Sequence, residues 1–222
     1  MKKYCVILVL IALAAAGAFA QNITKSAGAG LLLDYSGNNG MENKAGGITD
    51  FIGLRNMSFG GFAFFDIRYA ELDLSFSYGS LKDVIRESGS DYKIVFTGNV
   101  LYDSAIQLGF TILGKYPIAV RNSPIIFFPL FGIDFNLVLS IRDPNGYKYD
   151  VYGIKSVDFS QFGLLGGAGF DFIFAGNIFL RAEGLLHLRF ASRFMRDFAS
   201  ALDNKTTLGI GPRIKVAFGY RF

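Results

Sequence analysis

The chain is poor in the residues on which most enzymes and metal proteins depend. Its 222 residues include one cysteine, Cys5, one histidine, His187, and no tryptophan. A lone thiol near the start excludes disulfides and thiolate metal sites from the rest of the chain. One histidine without cysteine cannot supply a usual transition-metal ligand set, so no metal or other cofactor is expected. Runs of five or six like charges are also missing. The formal charge of +4 includes Lys2 and Lys3, and the remaining charges alternate in sign, which argues against a nucleic-acid partner.

Long apolar runs are absent after residue 20. The nearest, 125–139, contains Pro129 and Asp134. The proline would break a helix and the aspartate would burden one in lipid, so helical membrane spans are not expected. What the chain has instead is 24 Phe, 11 Tyr and 27 Gly, with half of its residues hydrophobic. Phe and Tyr favour strands, and glycine is a poor helix former.

Residues 1–20 have the layout of a cleaved targeting segment: Lys2 and Lys3, a short apolar stretch, then Ala18-Phe19-Ala20 before Gln21. The stretch is short for a spanning helix. Residues 21–222 are then expected to form one domain.

In that domain the apolar residues recur with period two. The last strand is clearest: Leu208, Ile210, Pro212, Ile214, Val216, Phe218, Tyr220 and Phe222 oppose Gly209, Gly211, Arg213, Lys215, Ala217, Gly219 and Arg221. Successive strand side chains point to opposite faces, so one face is apolar and the other small or charged. The same parity sets Leu31, Leu33 and Tyr35 against Asp34; Phe59 and Phe65 against Asp66 and Arg68; Leu74 and Phe76 against Asp73 and Ser75; and Leu108 and Phe110 against Gln107 and Thr111. It continues with Phe131 and Phe135 against Asp134, Asn136 and Ser140; Phe170 and Phe172 against Asp171; and Leu180 and Leu188 against Arg181, Glu183, His187 and Arg189. Phe62 and Phe64 break the pattern by falling on the polar face.

About eight strands result, with ten possible if 92–100 is separate from the fourth. The predicted fold is all-β: a transmembrane, antiparallel, up-and-down β-barrel, apolar outside and polar inside. Closure removes every sheet edge, as hydrocarbon requires. Tight turns are predicted near Tyr69-Ala70 and Ala175-Gly176-Asn177, with a compact connection from Tyr116-Pro117 to Pro124. Four longer polar loops are predicted at about 36–56, 80–92, 142–158 and 192–207. Short turns at one end and long loops at the other are the usual outer-membrane layout.

The ending Phe218-Gly219-Tyr220-Arg221-Phe222, joined to this alternation, resembles the small bacterial outer-membrane barrels of the OmpW, OmpX and OmpA-transmembrane-domain type. The resemblance implies location in the bacterial outer membrane and contact with its lipid. It also implies that Phe218, Tyr220 and Phe222 form a signal read by the barrel-assembly machinery.

The inward parity gathers Asp34, Asp66, Asp73, Asp134, Asp171 and Glu183 with Arg68, Arg181, Arg189, Arg213, Lys215 and Arg221. A barrel of eight strands has a bore that side chains can fill. Charges there must pair or meet water. Their near balance predicts an ion-pair network, with a gated narrow pore as the competing reading. Glu183 with Arg213 is the expected pair across the last two strands, and His187 is expected to pair with Glu183 or an aspartate. No enzyme is expected, because the one histidine points into the bore. Gly166-Gly167-Ala168-Gly169 lacks the lysine and helix of a phosphate loop. The expected role is structural or the passage of small solutes. The alternative is an adhesin or ligand-binding protein acting through its external loops, where charges stand among Tyr147, Tyr149 and Tyr152.

Overall fold

The computed structural model describes residues 25–43, 49–88, 102–142, 145–148, 155–193, 196, 197, 200, 205, 206 and 208–222. The expected targeting segment and the stretch 92–100 lie outside them. Eight long strands form the barrel: Lys25–Asn43 (β1), Thr49–Ile67 (β2), Ala70–Ser88 (β3), Tyr102–Lys115 (β4), Ile125–Arg142 (β6), Gln161–Ala175 (β7), Ile178–Arg189 (β8) and Gly209–Arg221 (β10). Two short strands, Ile118–Ala119 (β5) and Lys205–Thr206 (β9), pair with β6 and β1 without spanning the wall.

Each long strand pairs antiparallel with the next long one, and β10 returns to β1. That last pairing runs from Ser26↔Arg221 through Leu33↔Ile214 to Asp34↔Arg213, and it closes the sheet. Closure leaves the transmembrane wall without an edge. Burial follows the predicted parity and is inverted relative to a soluble protein. Along β10 every second residue is buried, including Arg213 and Lys215, while Ile210, Ile214, Val216 and Phe218 are exposed. The same holds on β3, where Asp73 and Ser77 are buried and Leu74, Phe76 and Tyr78 are exposed. An exterior of this kind is stable against hydrocarbon and not against water, so the barrel is a transmembrane one.

The turns lie at one end with both described termini. The β2–β3 turn places Arg68 at φ 43°, and the β7–β8 turn uses Gly176 at φ 55°, a left-handed conformation that costs glycine little. At the same end the Phe222 amide donates to the Lys25 carbonyl at 3.0 Å.

Three strands are longer than their sequence pattern predicts. β1, β2 and β3 have 19 residues each, whereas a tilted strand needs about 9–11 to cross hydrocarbon. Much of the predicted loops 36–56 and 80–92 is therefore strand. The β2–β3 register is unbroken from Thr49↔Ser88 to Ile67↔Ala70. Backbone pairing continues past the length that hydrocarbon requires, where lipid no longer imposes an apolar alternation. A second departure is in β6. A register shift opposite Ile106 and Gln107, between Val138 and Ser140, puts Ile141 inside the barrel in place of the predicted Ser140. A bulge of this kind reverses parity beyond it.

Candidate functional site

The inward faces fill the bore, and not with charge alone. Leu32, Phe62, Phe64, Phe179 and Ala217 form one apolar cluster. Leu113, Phe128, Leu130, Leu165 and Leu185 form another. Four of the inward rings stand opposite glycine, Phe62 being paired with Gly30. Phe64 is paired with Gly28, Phe179 with Gly219 and Phe128 with Gly169. A Cβ on Gly219 would lie 2.2 Å from the Phe179 ring, so the missing side chain is the space in which the ring lies.

The charged groups form two clusters. Toward the loop end, Asp34 accepts hydrogen bonds from Arg189 Nη2 at 2.6 Å and from Arg213 Nη2 at 2.7 Å. Arg213 Nη2 also donates to Asp134 at 2.7 Å, with Arg189 3.9 Å from the same carboxylate. His187 Nδ1 lies 3.3 Å from Asp34 Oδ1. Beside this cluster, Asn136 donates to Gln107 at 2.6 Å and Gln107 to Asn56 at 3.4 Å, an amide ladder from β6 through β4 to β2.

Toward the turn end, Lys215 Nζ is held by three carboxylates: Glu183 at 2.5 Å, Asp73 at 2.6 Å and Glu71 at 3.2 Å. Arg181 donates to Asp171 at 2.7 Å, Glu71 at 2.5 Å and Asp66 at 2.8 Å. Its guanidinium lies over Phe64, Phe128 and Phe179 at 4.3, 5.1 and 5.1 Å from the ring centroids. Such contacts offset part of the desolvation of a buried cation. Lys115 binds Asp66, and Arg221 binds Asp171 at 3.1 Å. In the strand order β8 and β3 stand four positions apart in a ring of eight, so the Arg181–Glu71 bond crosses the bore.

Most of the predicted inward residues meet in these clusters: Asp34, Asp134, His187, Arg189 and Arg213 in the first, and Asp66, Asp73, Asp171, Arg181, Glu183 and Lys215 in the second. Arg68 does not. It is exposed in the β2–β3 turn, 5.0 Å from the Tyr69 ring centroid, because the strand ends at Ile67 and parity ends with it. The predicted Glu183–Arg213 pair is also replaced. The register sets Lys215, not Arg213, opposite Glu183, and Arg213 opposite Leu185. Arg213 instead reaches Asp34 and Asp134. Two central residues are not among those the sequence predicts, Glu71 and Lys115. Both continue the inward parity, two residues before Asp73 and four after Thr111, but both adjoin turns, where the alternation runs out.

Phe218, Tyr220 and Phe222 are exposed on the outer wall at the turn end. The Tyr220 and Phe222 rings stack with centroids 6.5 Å apart, and Phe222 also lies 6.5 Å from Phe65. The Tyr220 hydroxyl accepts from Asn177 at 3.3 Å. These contacts tie the last strand to β2 and to the β7–β8 turn.

No family model matches the chain, and no curated protein does. Solved structures are similar in outline. Neisserial surface protein A is 12% identical over 90% of this chain and 96% of its own, with a TM-score of 0.47. The outer membrane protein OprG from Pseudomonas aeruginosa is 13% identical over the same shares, also at 0.47. A major outer membrane protein from Thermus thermophilus is 12% identical over 90% and 100%, at 0.45. The architecture of the present chain rests on its own strand pairing and inverted burial.

Proposed function

We propose that this chain is an integral protein of the bacterial outer membrane with a structural role and a bore sealed to bulk ions. The observation that carries this reading is the set of bonds across the bore. Arg181, Glu71 and His187 are each 0% exposed, and Arg181 joins β8 to β2, β3 and β7 at once. Together with the two apolar clusters these buried side chains occupy the bore at their level. Passage would need several buried pairs to break together, each at the cost of uncompensated charge. His187 is equally shut off from outside substrates, which supports a role other than catalysis.

In this reading residues 1–20 direct export and are removed, the outer wall meets membrane lipid, and Phe218, Tyr220 and Phe222 are read by the barrel-assembly machinery. Recording from the purified barrel in planar bilayers tests the sealed bore. The expected result is no steady conductance, and a large steady conductance would overturn it.

A second reading, surface binding through the loop end, is favoured by the length of β1, β2 and β3. At about 3.3 Å per residue they are far longer than the membrane requires. Shortening the β1–β2 hairpin should then abolish adhesion of intact cells while leaving the barrel folded. Unchanged adhesion would remove this role from the hairpin.

A further inference from the structure

At the turn end the bore opens into a cavity of about 320 Å³, a size at the lower end of small-molecule sites. Pro117, Ala119, Ile126 and Phe128 give it an apolar side. Arg68, Lys115 and Arg221 present three cations to it, and Asp66 and Asp171 form part of its lining. Asp171 is engaged at both oxygens and Asp66 at Oδ2, while Asp66 Oδ1 is buried with no hydrogen-bond partner. Asp66 accepts from Arg181, Lys115 and Ser26, and Asp171 accepts from Arg181 and Arg221. Arg68 is exposed and, among the described residues, in no ion pair; its contact is with the Tyr69 ring. Arg221 spends one terminal nitrogen on Asp171 and leaves the rest of its guanidinium free for another acceptor. The lining of this mouth therefore carries one cation more than carboxylates, the exposed Arg68, next to an apolar wall, with the Arg181 hub at the inner end.

We propose that this cavity is a binding site for a small organic anion, a carboxylate or phosphate carrying a short apolar chain, which enters from the turn side. Arg68 and Arg221 hold the anionic group, and Ile126, Phe128 and Ala119 receive the chain. A bidentate guanidinium suits both kinds of anion. The inference goes beyond the sealed bore and does not require it, because binding at the mouth is measured without any current.

The test uses the full barrel refolded in non-ionic detergent micelles, with amide chemical shifts followed during titration. Butyl phosphate is the probe, inorganic phosphate tests the apolar wall, and butylammonium is the charge-reversed control. Butyl phosphate should give saturable shifts at Arg68, Lys115, Ala119 and Arg221. Inorganic phosphate should bind more weakly and butylammonium not at all. Arg68→Glu should weaken butyl phosphate binding by roughly tenfold or more, the loss of a charge-assisted contact. Ala119→Glu, which puts a carboxylate on the apolar side without touching the ion pairs, should do the same. Heat-dependent gel mobility verifies that both variants are folded. Added phosphatidylglycerol separates the sources: competition with butyl phosphate assigns the site to a lipid headgroup, and its absence assigns it to a soluble anion. Equal binding of butylammonium, no saturable shift with butyl phosphate, or full affinity in both variants would overturn the site.

Discussion

In the loop-side half of the bore two aspartates, Asp34 and Asp134, meet two arginines, Arg189 and Arg213, with His187 beside them. In the turn-side half five carboxylates, Asp66, Glu71, Asp73, Asp171 and Glu183, meet Lys115, Arg181, Lys215 and Arg221. The first half is redundant. Each aspartate has both arginines within 4 Å, so either can go and leave a partner. The second half has a hub: Arg181 alone joins Asp66, Glu71 and Asp171, and it is also the cation that the rings of Phe64, Phe128 and Phe179 surround. One half thus balances two carboxylates with two cations, and the other sets four cations against five carboxylates, three of which a single side chain joins.

The largest expected effect tests that difference directly. Arg181→Ala leaves five buried carboxylates with three cations, Asp66 keeping Lys115, Glu71 keeping Lys215 and Asp171 keeping Arg221, and the uncompensated negative charge should cost about 3–5 kcal/mol. Arg189→Ala leaves Asp34 and Asp134 with Arg213 and should cost about 1–3 kcal/mol. Urea unfolding in micelles measures both. Arg181→Ala should in addition bring intermittent conductance to a silent barrel. Equal costs for the two variants would erase the distinction between hub and redundancy.

Ring seating is the next contrast. The turn-side rings depend on glycines, so Gly219→Ala, whose Cβ would lie 2.2 Å from Phe179, should destabilise by about 1–3 kcal/mol through overpacking. Gly184→Ala, where nothing lies within 4 Å of the new Cβ, should be neutral or gain about 0.5–1 kcal/mol from a less flexible unfolded chain. The same unfolding measurement reads both. A harmless Gly219→Ala would mean that the Phe179 ring is free to move.

A smaller effect separates neighbouring cations on one strand. A double-mutant cycle between Glu183→Gln and Lys215→Met should show a coupling of about 0.5–3 kcal/mol, as contacting residues do. The cycle between Glu183→Gln and Arg213→Met should be closer to additive, since Arg213 serves Asp34 and Asp134 instead. The reverse ranking would place β8 and β10 in a different register.

How much of this was legible follows from what period two encodes. Parity assigned Asp34, Asp134, Arg181, Lys215 and most of their partners to the inside, because hydrocarbon demands an apolar outer wall and so writes the alternation into each strand. It failed where that demand stops. Arg68 lies past the strand end, Glu71 and Lys115 adjoin turns, and β1 to β3 run on past the length that hydrocarbon requires. Pair identity was not legible at all. Whether Glu183 meets Arg213 or Lys215 depends on a two-residue difference in register. Whether Arg181 reaches Glu71 depends on how the closed barrel brings β8 opposite β3. Those are properties of closure and stagger, which single-strand patterns do not carry.

The smallest expected effect sets the bore against the loops. Arg193 and Asp197 lie 3.5 Å apart, four residues apart in the chain, with side chains 71% and 72% exposed. An exposed pair with this spacing is worth about 0.3–0.5 kcal/mol, and salt screens it. Lys215 and Glu183 are a pair of the same formal charges, with side chains 3% and 0% exposed. Counter-ions cannot approach them unless water fills the bore. Repeating both double-mutant cycles in low salt and at 1 M NaCl, where the Debye length falls to about 3 Å, should therefore abolish the Arg193–Asp197 coupling and leave the Lys215–Glu183 coupling nearly unchanged. No current has to flow for this contrast to appear, because screening requires only that ions reach the pair. If salt reduced both couplings by the same fraction, electrolyte would be reaching the middle of the barrel at equilibrium, and the sealed bore would have to be given up even for a protein that is silent in a bilayer.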